Sequence, residues 1–441
     1  MPPGGGVQIL DNIVRARVLN ARDEFIASIS EDQICRLASS YHNGEPCHYF
    51  TEPKRGSYNI CFFVAFDDGE KWVVRVPLAP CLAFDPSSKI EREVATMQVV
   101  SERTDIPIPK IVAYQLGESS KPLSSFIILE YVKGQALSMV NLDSLSNTQQ
   151  EQLYISLARI YIQLRRLEFS SIGCLQRDQA GVQVSKMVMS IDINMHAVEE
   201  LDPYAIRDSF YGDQNNLTSA NAYTSMLLDL ADNAFAKGRK SVTDSEYDGA
   251  DGLYQLHLFR RHVGKWLNRS LDEGPFVLIH GDLLPYNLFV NEEMEITSVL
   301  DWEWSRIVPR QFFEPPLWLT NHFPPTLAFI SVYKALYLKS FDKFLAITRM
   351  LERETYGNEL LSDEWTLAKS DSGFLVANAL ENWTEIDYFA SRCLDDMYFG
   401  KKDLEKRVWA FVDETPHLRT FIKKKLEEGI AFEKELKEMQ E

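Results

Sequence analysis

Nowhere in the 441 residues do uncharged apolar residues run together for the roughly 18 positions that a membrane-crossing helix needs. Cysteine is sparse and unpatterned: Cys35, Cys47, Cys61, Cys81, Cys174 and Cys393 form no C-x-x-C pair. That spacing argues against a zinc cluster or a redox motif, and a reducing compartment is the expectation. The amino-terminal MPPGGGVQILDNIVRARV has no charged-then-apolar signal pattern, so a cytoplasmic location is expected. Arg15, Arg17 and Arg22 keep organelle targeting as the alternative, although Asp11, Asp23 and Glu24 interleave with them. Positive charge is also in short supply, with 46 Lys and Arg against 64 Asp and Glu and a formal net charge of −18. A general nucleic-acid binder needs a basic surface to displace counterions, so that class is excluded, and an anionic membrane surface fits poorly. An acidic field suits a small, cationic partner better. Missing as well are the G-x-x-x-x-G-K-[ST] loop, the G-x-S-x-G elbow and the H-E-x-x-H pair. There is no internal repeat.

What is present is enough apolar material, 45% hydrophobic and 12% aromatic, for a large core. At this length two packed lobes are expected rather than one. After a Gly/Pro-rich start, Ile9 to Leu37 reads as one or two helices. Tyr58 to Phe66 and Lys71 to Val76, joined through Asp67-Asp68-Gly69, predict a β-hairpin, because D-G between β-rich runs is a strong turn signal. A helix is predicted from Ser88 to Arg103, then strands at Ile111 to Leu116 and Phe126 to Tyr131. These elements make a small β-rich lobe, residues 46–133, behind a helical extension, residues 1–45. Residues 134–441 read as a larger, mostly helical lobe. Within it, the Asp-, Asn-, Ser- and Tyr-rich stretch 203–252 is expected to be irregular before a helix at 252–270. The charged tail, Leu418 to Glu441, reads as a helix with a solvated face.

The chemistry concentrates in LIHGDLLPYNLFVNEEMEITSVLDWEW, Leu278 to Trp304. Leu288-Phe289-Val290, the polar turn Asn291 to Met294, and Ile296 to Leu300 predict a tight hairpin with Asn287 at its entry and Asp301 at its exit. A hairpin brings its ends together, as two oxygen ligands of one hard cation require. The loop from His280 to Tyr286, stiffened by Pro285, presents Asp282 beside them. His280 is expected to anchor that loop through backbone hydrogen bonds rather than act as a base. Taken singly, each of the three residues is an ordinary turn or cap residue; their joint spacing favours a site. The array suits phosphoryl transfer, in which an aspartate takes the proton of an attacking hydroxyl while an amide oxygen and a second aspartate hold magnesium.

Two further positions belong to this reading. In the helix 88–103, Ile90, Val94, Met97 and Val100 form an apolar stripe, and Glu93 falls on the same face. A carboxylate facing a core needs a partner, and Arg75, in the strand Trp72 to Val76, is the candidate. The pair reads equally as a structural ion pair or as a cation held for nucleotide phosphates. Gly56-Ser57-Tyr58 precedes the first long strand, where a loop can fold over phosphates, a weak signal with one glycine. Glu130 to Val132 is a strand end that can double as a crossing between lobes. Trp304, Trp318, Trp383 and Tyr388, with Glu381, Glu385 and Asp387, are candidates to face a cationic acceptor, though such helical residues are more often core or solvent face.

His280-Gly281-Asp282 with Asn287, followed by Leu300-Asp301-Trp302-Glu303, resembles the catalytic loop and metal-binding segment of the aminoglycoside phosphotransferase and choline kinase family, relatives of the protein kinases. The resemblance covers most of the chain. It implies an α+β, two-lobed protein-kinase-like fold and an ATP- and Mg²⁺-dependent transfer of the γ-phosphate to a hydroxyl of a small molecule. By that likeness Asp282 is the catalytic base, Asn287 and Asp301 the magnesium ligands, and Arg75 the phosphate-contacting cation. Glu93 is its helix partner, Gly56, Ser57 and Tyr58 lie over the nucleotide, and Glu130 to Val132 form the hinge. The family pattern most often has lysine where this chain has Arg75, and arginine is a planar fork rather than a compact charge. The rival expectation is a nucleotide-binding scaffold of the same fold without turnover.

Overall fold

The computed structural model describes residues 10–117, 121–179, 181–211, 216–322, 324–382, 386–400 and 402–440. The chain is an α+β protein of two lobes. Two helices come first, α1 (Asn12–Ala27) and α2 (Glu31–Tyr41), the second opened by a capping box in which Ser30 and Gln33 satisfy each other's backbone N–H. They precede β1 (Cys47–Arg55), β2 (Asn59–Phe66), β3 (Lys71–Pro77), α3 (Pro86–Arg103), β4 (Ile111–Gln115) and β5 (Phe126–Glu130). The strands pair as an antiparallel sheet in the order β1-β2-β3-β5-β4. The predicted hairpin is present, with Ala65 opposite Lys71 and Asn59 opposite Pro77. Gly69 takes the left-handed φ of 93° that its turn demands.

Strand alternation decides what each face of this sheet meets. Phe62, Val64, Trp72, Val74 and Phe126 point to one side and form a core with Val18, Ile34 and Ala38 of α1 and α2. Ile127 and Leu129 point to the other side, where Ile90, Val94 and Met97 of α3 cover them. Arg75, one step from Val74, therefore faces α3 from the middle of the sheet.

The larger lobe follows with β6 (Gln135–Ala136), α4 (Asn147–Arg165), β7 (Glu168–Phe169), β8 (Cys174–Asp178) and β9 (Gly181–Ser185). The stretch expected to be irregular is instead largely helical: α5 (Ile191–Val198), α6 (Pro203–Ser209), α7 (Ala220–Lys237) and α8 (Glu246–Trp266). Its polar residues are caps and solvent faces. Ser219 and Ser245 accept hydrogen bonds from the Ala222 and Asp248 N–H groups, while Tyr223, Met226, Leu227 and Leu230 bury one face of α7. Next come β10 (Phe276–Ile279), β11 (Leu288–Val290), β12 (Ile296–Val299) and β13 (Arg306–Pro309). The helices α9 (Pro324–Phe329), α10 (Ser331–Tyr356), α11 (Leu360–Ser370), α12 (Gly373–Glu381), α13 (Ile386–Phe389), α14 (Asp395–Phe399), α15 (Leu404–Asp413) and α16 (His417–Gln440) complete the chain. The tail helix α16 is not simply a solvated rod. Ile422 and Phe432 are buried, and the Lys425 ammonium, buried too, donates to the Gly238 carbonyl at 2.7 Å.

Two pairings hold the segment around Asp282 in place. At its base β10 and β13 run antiparallel, with Ile279 opposite Arg306. In its middle β11 pairs with β12 and also with β6, the strand that leaves the small lobe, through Phe289 and Ala136. The Val299 N–H donates to the Pro107 carbonyl at 2.8 Å, tying the hairpin to the loop after α3. Among the described residues no helix is long and apolar enough to cross a membrane.

Candidate active site

The loop that begins at His280 is built on its own backbone. His280 is buried, and its Nε2 lies 2.9 Å from the Leu300 carbonyl while its Nδ1 accepts from the Asp282 N–H at 3.3 Å. That arrangement requires the neutral ring protonated at Nε2. Burial pushes the imidazole down to about 4, outweighing the Leu300 hydrogen bond, so the ring is neutral at physiological pH. His280 is thus an anchor, as expected. Gly281 sits at φ 80°, and an added Cβ would run into the Trp304 carbonyl oxygen, so no other residue fits between loop and hairpin.

Asp282 is half-buried, and each of its carboxylate oxygens is engaged. Tyr286 donates its hydroxyl to Oδ1 at 2.6 Å, and Asn287 Nδ2 donates to Oδ2 at 3.1 Å and to the Asp282 carbonyl at 2.9 Å. Burial pushes the carboxyl up to about 7; Glu303 adds to this, and the donations from Tyr286 and Asn287 oppose it. A short 3₁₀ turn, Pro285–Asn287, sets Tyr286 and Asn287 in sequence against the aspartate. The Leu300 N–H donates to the Asn287 carbonyl at 2.8 Å, so entry and exit of the hairpin meet as anticipated. Asp301 follows in the left-handed region at φ 69°, a conformation that Asp and Asn tolerate better than most side chains.

Arg75 joins this segment to the small lobe. It pairs with Glu93 of α3, with Asp301 at 3.0 Å and with Glu303 at 2.9 Å, using one terminal nitrogen for the two glutamates and the other for the aspartate. The predicted Arg75–Glu93 pair is therefore present, within a larger network. Lys89, one turn before Glu93, pairs with Glu303 and donates to Asn59 Oδ1 at 2.6 Å, and Asn59 Nδ2 donates to Glu303 at 2.6 Å. Lys89, Glu303 and Asn59 were not singled out from sequence. The signals were available: a lysine four positions before a core-facing glutamate, and a glutamate between two tryptophans.

The carboxylates differ in character. Burial drives Glu303 up, but Lys89 and Arg75 more than offset it, and it is held below the ordinary range. Asp301 is held well above its ordinary range by burial and by Glu303, against the pull of Arg75. Its Oδ1 is buried, and Arg75 approaches it without the geometry of a hydrogen bond. Asp282, Glu93, Asp301 and Glu303 together face only Arg75 and Lys89, so the ionised cluster carries two negative charges in excess. One divalent cation matches that excess. The Asp301 carboxylate and the Asn287 amide oxygen, whose NH₂ is turned to Asp282, are hard oxygen donors of the kind magnesium takes.

The other expected positions are less closely assembled. The Gly56 N–H donates to the Asn59 carbonyl at 2.8 Å within its own turn, so it is not aimed at a ligand, and Ser57 is exposed. The Tyr58 ring packs edge-on against Trp304 at 4.8 Å between centroids, which lays this turn beside the Asp301 segment. Glu130 is exposed and pairs with Lys110 at 3.2 Å. The Glu130 and Tyr131 N–H groups donate to the Lys110 and Lys71 carbonyls, and Val132 follows outside that pattern. Of the acceptor candidates, Trp304 is core, Trp318 Nε1 donates to the Leu283 carbonyl at 2.9 Å, and Glu381 pairs with Arg306 in the interior. Trp383 and Glu385 lie outside the described residues, as do the side chains of Asp387 and Tyr388.

Curated relatives match parts of the chain. A protein of Debaryomyces hansenii called altered inheritance of mitochondria protein 9, mitochondrial, is 32% identical over 82 residues, 19% of this chain and 13% of that protein. Clavilactone A biosynthesis cluster protein Y of Ampulloclitocybe clavipes is 28% identical over 262 residues, 57% of this chain and 59% of that protein. The match thus spans less than two thirds of either relative. Among solved structures, the GDP complex of aminoglycoside 2'-phosphotransferase-IIIa aligns at 12% identity and a TM-score of 0.45, covering 88% of this chain and 98% of that one. A thermostable mutant of an aminoglycoside phosphotransferase with ADP and hygromycin B aligns at 12% identity and 0.43, covering 87% and 98%. The model of the phosphotransferase enzyme family matches residues 50–312, from the first strand of the small sheet to just beyond β13. That span takes in Arg75, Lys89, Glu93, Asp282, Asn287, Asp301 and Glu303, and the chain belongs to the phosphotransferase enzyme family.

Proposed function

We propose that this protein is an ATP- and magnesium-dependent phosphotransferase that moves the γ-phosphate to a hydroxyl of a small molecule. The observation that carries the reading is the joining of Asp282, Asn287 and Asp301 to Arg75 of the other lobe through one ion-pair network. Asn287 and Asp301 would hold the magnesium, which supplies neutralisation of phosphate charge when bound. Asp282 orients the acceptor hydroxyl and takes its proton; a pKa near 7 suits a base working at neutral pH. Arg75, steadied by Glu93 and Glu303, places a fixed positive charge at the lobe junction on the nucleotide's side. Positioning and preorganised charge do most of the work. Glu130 to Val132 are assigned to the hinge that meets the base, and Gly56 to Tyr58 to the loop over the phosphates. The negative net charge fits a cationic acceptor, as do relatives described with kanamycin or hygromycin B. The location is read as cytoplasmic, with an organelle as the alternative given the mitochondrial label of the yeast relatives.

The test is turnover of ATP–Mg²⁺ and GTP–Mg²⁺ by the full-length protein with a panel of hydroxyl-bearing amines, sugars and macrolides, read as acceptor phosphorylation. D282N is expected to lower turnover about a hundredfold or more. The engagement of Arg75 by three carboxylates and of the Gly56 N–H by its own turn favours a second reading, a nucleotide-binding protein without turnover. That reading prevails if ATP–Mg²⁺ raises the melting temperature, no acceptor is phosphorylated, and D282N changes nothing beyond binding.

A further inference from the structure

Tyr286 is unlike the rest of the site. Asp282 is gripped from two sides by consecutive residues, Tyr286 on Oδ1 and Asn287 on Oδ2, but the two grips differ in permanence. Asn287 is 5% exposed and fixed by the Leu300 N–H, whereas Tyr286 is 39% exposed. The loop beneath them is pinned independently, by Trp318 on the Leu283 carbonyl and by the Leu284 N–H on the Asp282 carbonyl at 2.9 Å. Rotation about the side-chain bonds of Tyr286 can therefore release Oδ1 while Asn287 and the backbone stay in place. The phenol also reproduces the group that the reaction brings here, a hydroxyl donating to the base at 2.6 Å.

We propose that Tyr286 is a displaceable guard on the catalytic base: its hydroxyl holds the acceptor's place on Asp282 and keeps water from being activated until a bound acceptor displaces it. This rests on the phosphotransferase reading above. The step it suppresses is hydrolysis, in which a water oxygen bonds to the γ-phosphorus, the bond from that phosphorus to the bridging oxygen breaks, ADP departs, and the water proton passes to Asp282. Water that replaces the phenol exchanges one O–H···O bond for another and gains little. An acceptor makes the same exchange but is held at other points of the large lobe, and that binding energy drives the ring out. The guard thus couples use of the nucleotide to occupancy of the acceptor site.

The experiment is ADP and phosphate release from ATP–Mg²⁺ by the full-length protein without acceptor, comparing wild type, Y286F, D282N and the double variant. Tyr286→Phe keeps the ring and, at an exposed position, the fold, which a matching melting temperature verifies. Y286F is expected to hydrolyse ATP about tenfold faster than wild type, the scale of one hydrogen bond to a charged group. The gain should vanish in the double variant. A structural role predicts loss or no change, so a Y286F rate equal to or below wild type overturns the guard. Phosphate found on Tyr286 after incubation with ATP–Mg²⁺ overturns it too, because the residue would then be an acceptor. A Y286F gain that survives D282N counts instead against Asp282 as base, which separates failure of the underlying reading from failure of the guard.

Discussion

Replacing Arg75 by lysine tests the network that joins the lobes. The guanidinium uses one nitrogen for Glu93 and Glu303 and the other for Asp301, and only 7% of the side chain is exposed. Lysine offers a single nitrogen on a stem of similar reach, so it can retain the two glutamates but not Asp301 as well. A hydrogen bond to a buried charged group contributes about 1.5–3 kcal/mol, and one such contact is lost. R75K is therefore expected to destabilise the apo protein by about 2 kcal/mol. R75A leaves Glu93 and Glu303 without their shared partner and is expected to destabilise by about 3–5 kcal/mol. Glu93 is already under strain of this kind, since its Oε1 is buried without a hydrogen bond and burial holds its carboxyl above the ordinary range. The assay is thermal or urea denaturation of wild type, R75K, R75A, E93Q and R75A/E93Q, monitored by tryptophan fluorescence. Removing both partners should be milder than the sum of the single losses, with a coupling of about 1–3 kcal/mol. Strict additivity, or an R75K protein as stable as wild type, would refute the network as an energetic unit. The same variants should show a higher KM for ATP, because the cation is then held less firmly.

Asp301→Asn keeps the left-handed backbone but removes the charge, so magnesium with ATP should raise the melting temperature of wild type and raise that of D301N much less; equal shifts would count against Asp301 as a ligand. Gly281→Ala should abolish turnover and lower stability by several kcal/mol, on the order of 3, because φ 80° and the Trp304 carbonyl both oppose a Cβ; calorimetry and turnover check it. In EDTA, D282N should gain stability over wild type by about 1 kcal/mol as pH rises from 5 to 8. The sign follows from a folded pKa near 7 lying above the unfolded value: Asp282 contributes most at acid pH, and that contribution is lost as pH rises through 7, whereas Asn does not titrate. A pH-independent difference between their melting temperatures would sink this.

The legible parts of the molecule were those written in local pattern. The β2–β3 hairpin followed from Asp67-Asp68-Gly69 between apolar runs, and the second hairpin from two short strands around Asn291 to Met294. Glu93 and Arg75 could be paired because each is a charge at a position whose neighbours are buried. Lys89 and Asn59 escaped notice because their partner, Glu303, lies more than 200 positions away, and SSKIERE at the start of α3 reads as a solvent face. The helices between 203 and 252 were missed because Ser219 and Ser245 look like loop residues until the apolar stripe behind them is seen to be continuous. Tyr286 carried no signal of its own. Its role depends on a 3₁₀ turn that places a phenol within reach of an aspartate four positions back.

The left-handed backbone at Asp301 also narrows how a gene for this protein can drift. Most replacements at that position are opposed by chain geometry before any question of metal arises, and Asn and Gly are the substitutes with the least steric penalty. A descendant that abandoned the reaction but still had to fold would therefore carry one of those two letters at 301 far more readily than alanine or a β-branched residue. Loss of catalysis would leave a recognisable spelling, and a survey of divergent copies could sort retired proteins from working ones at that single codon.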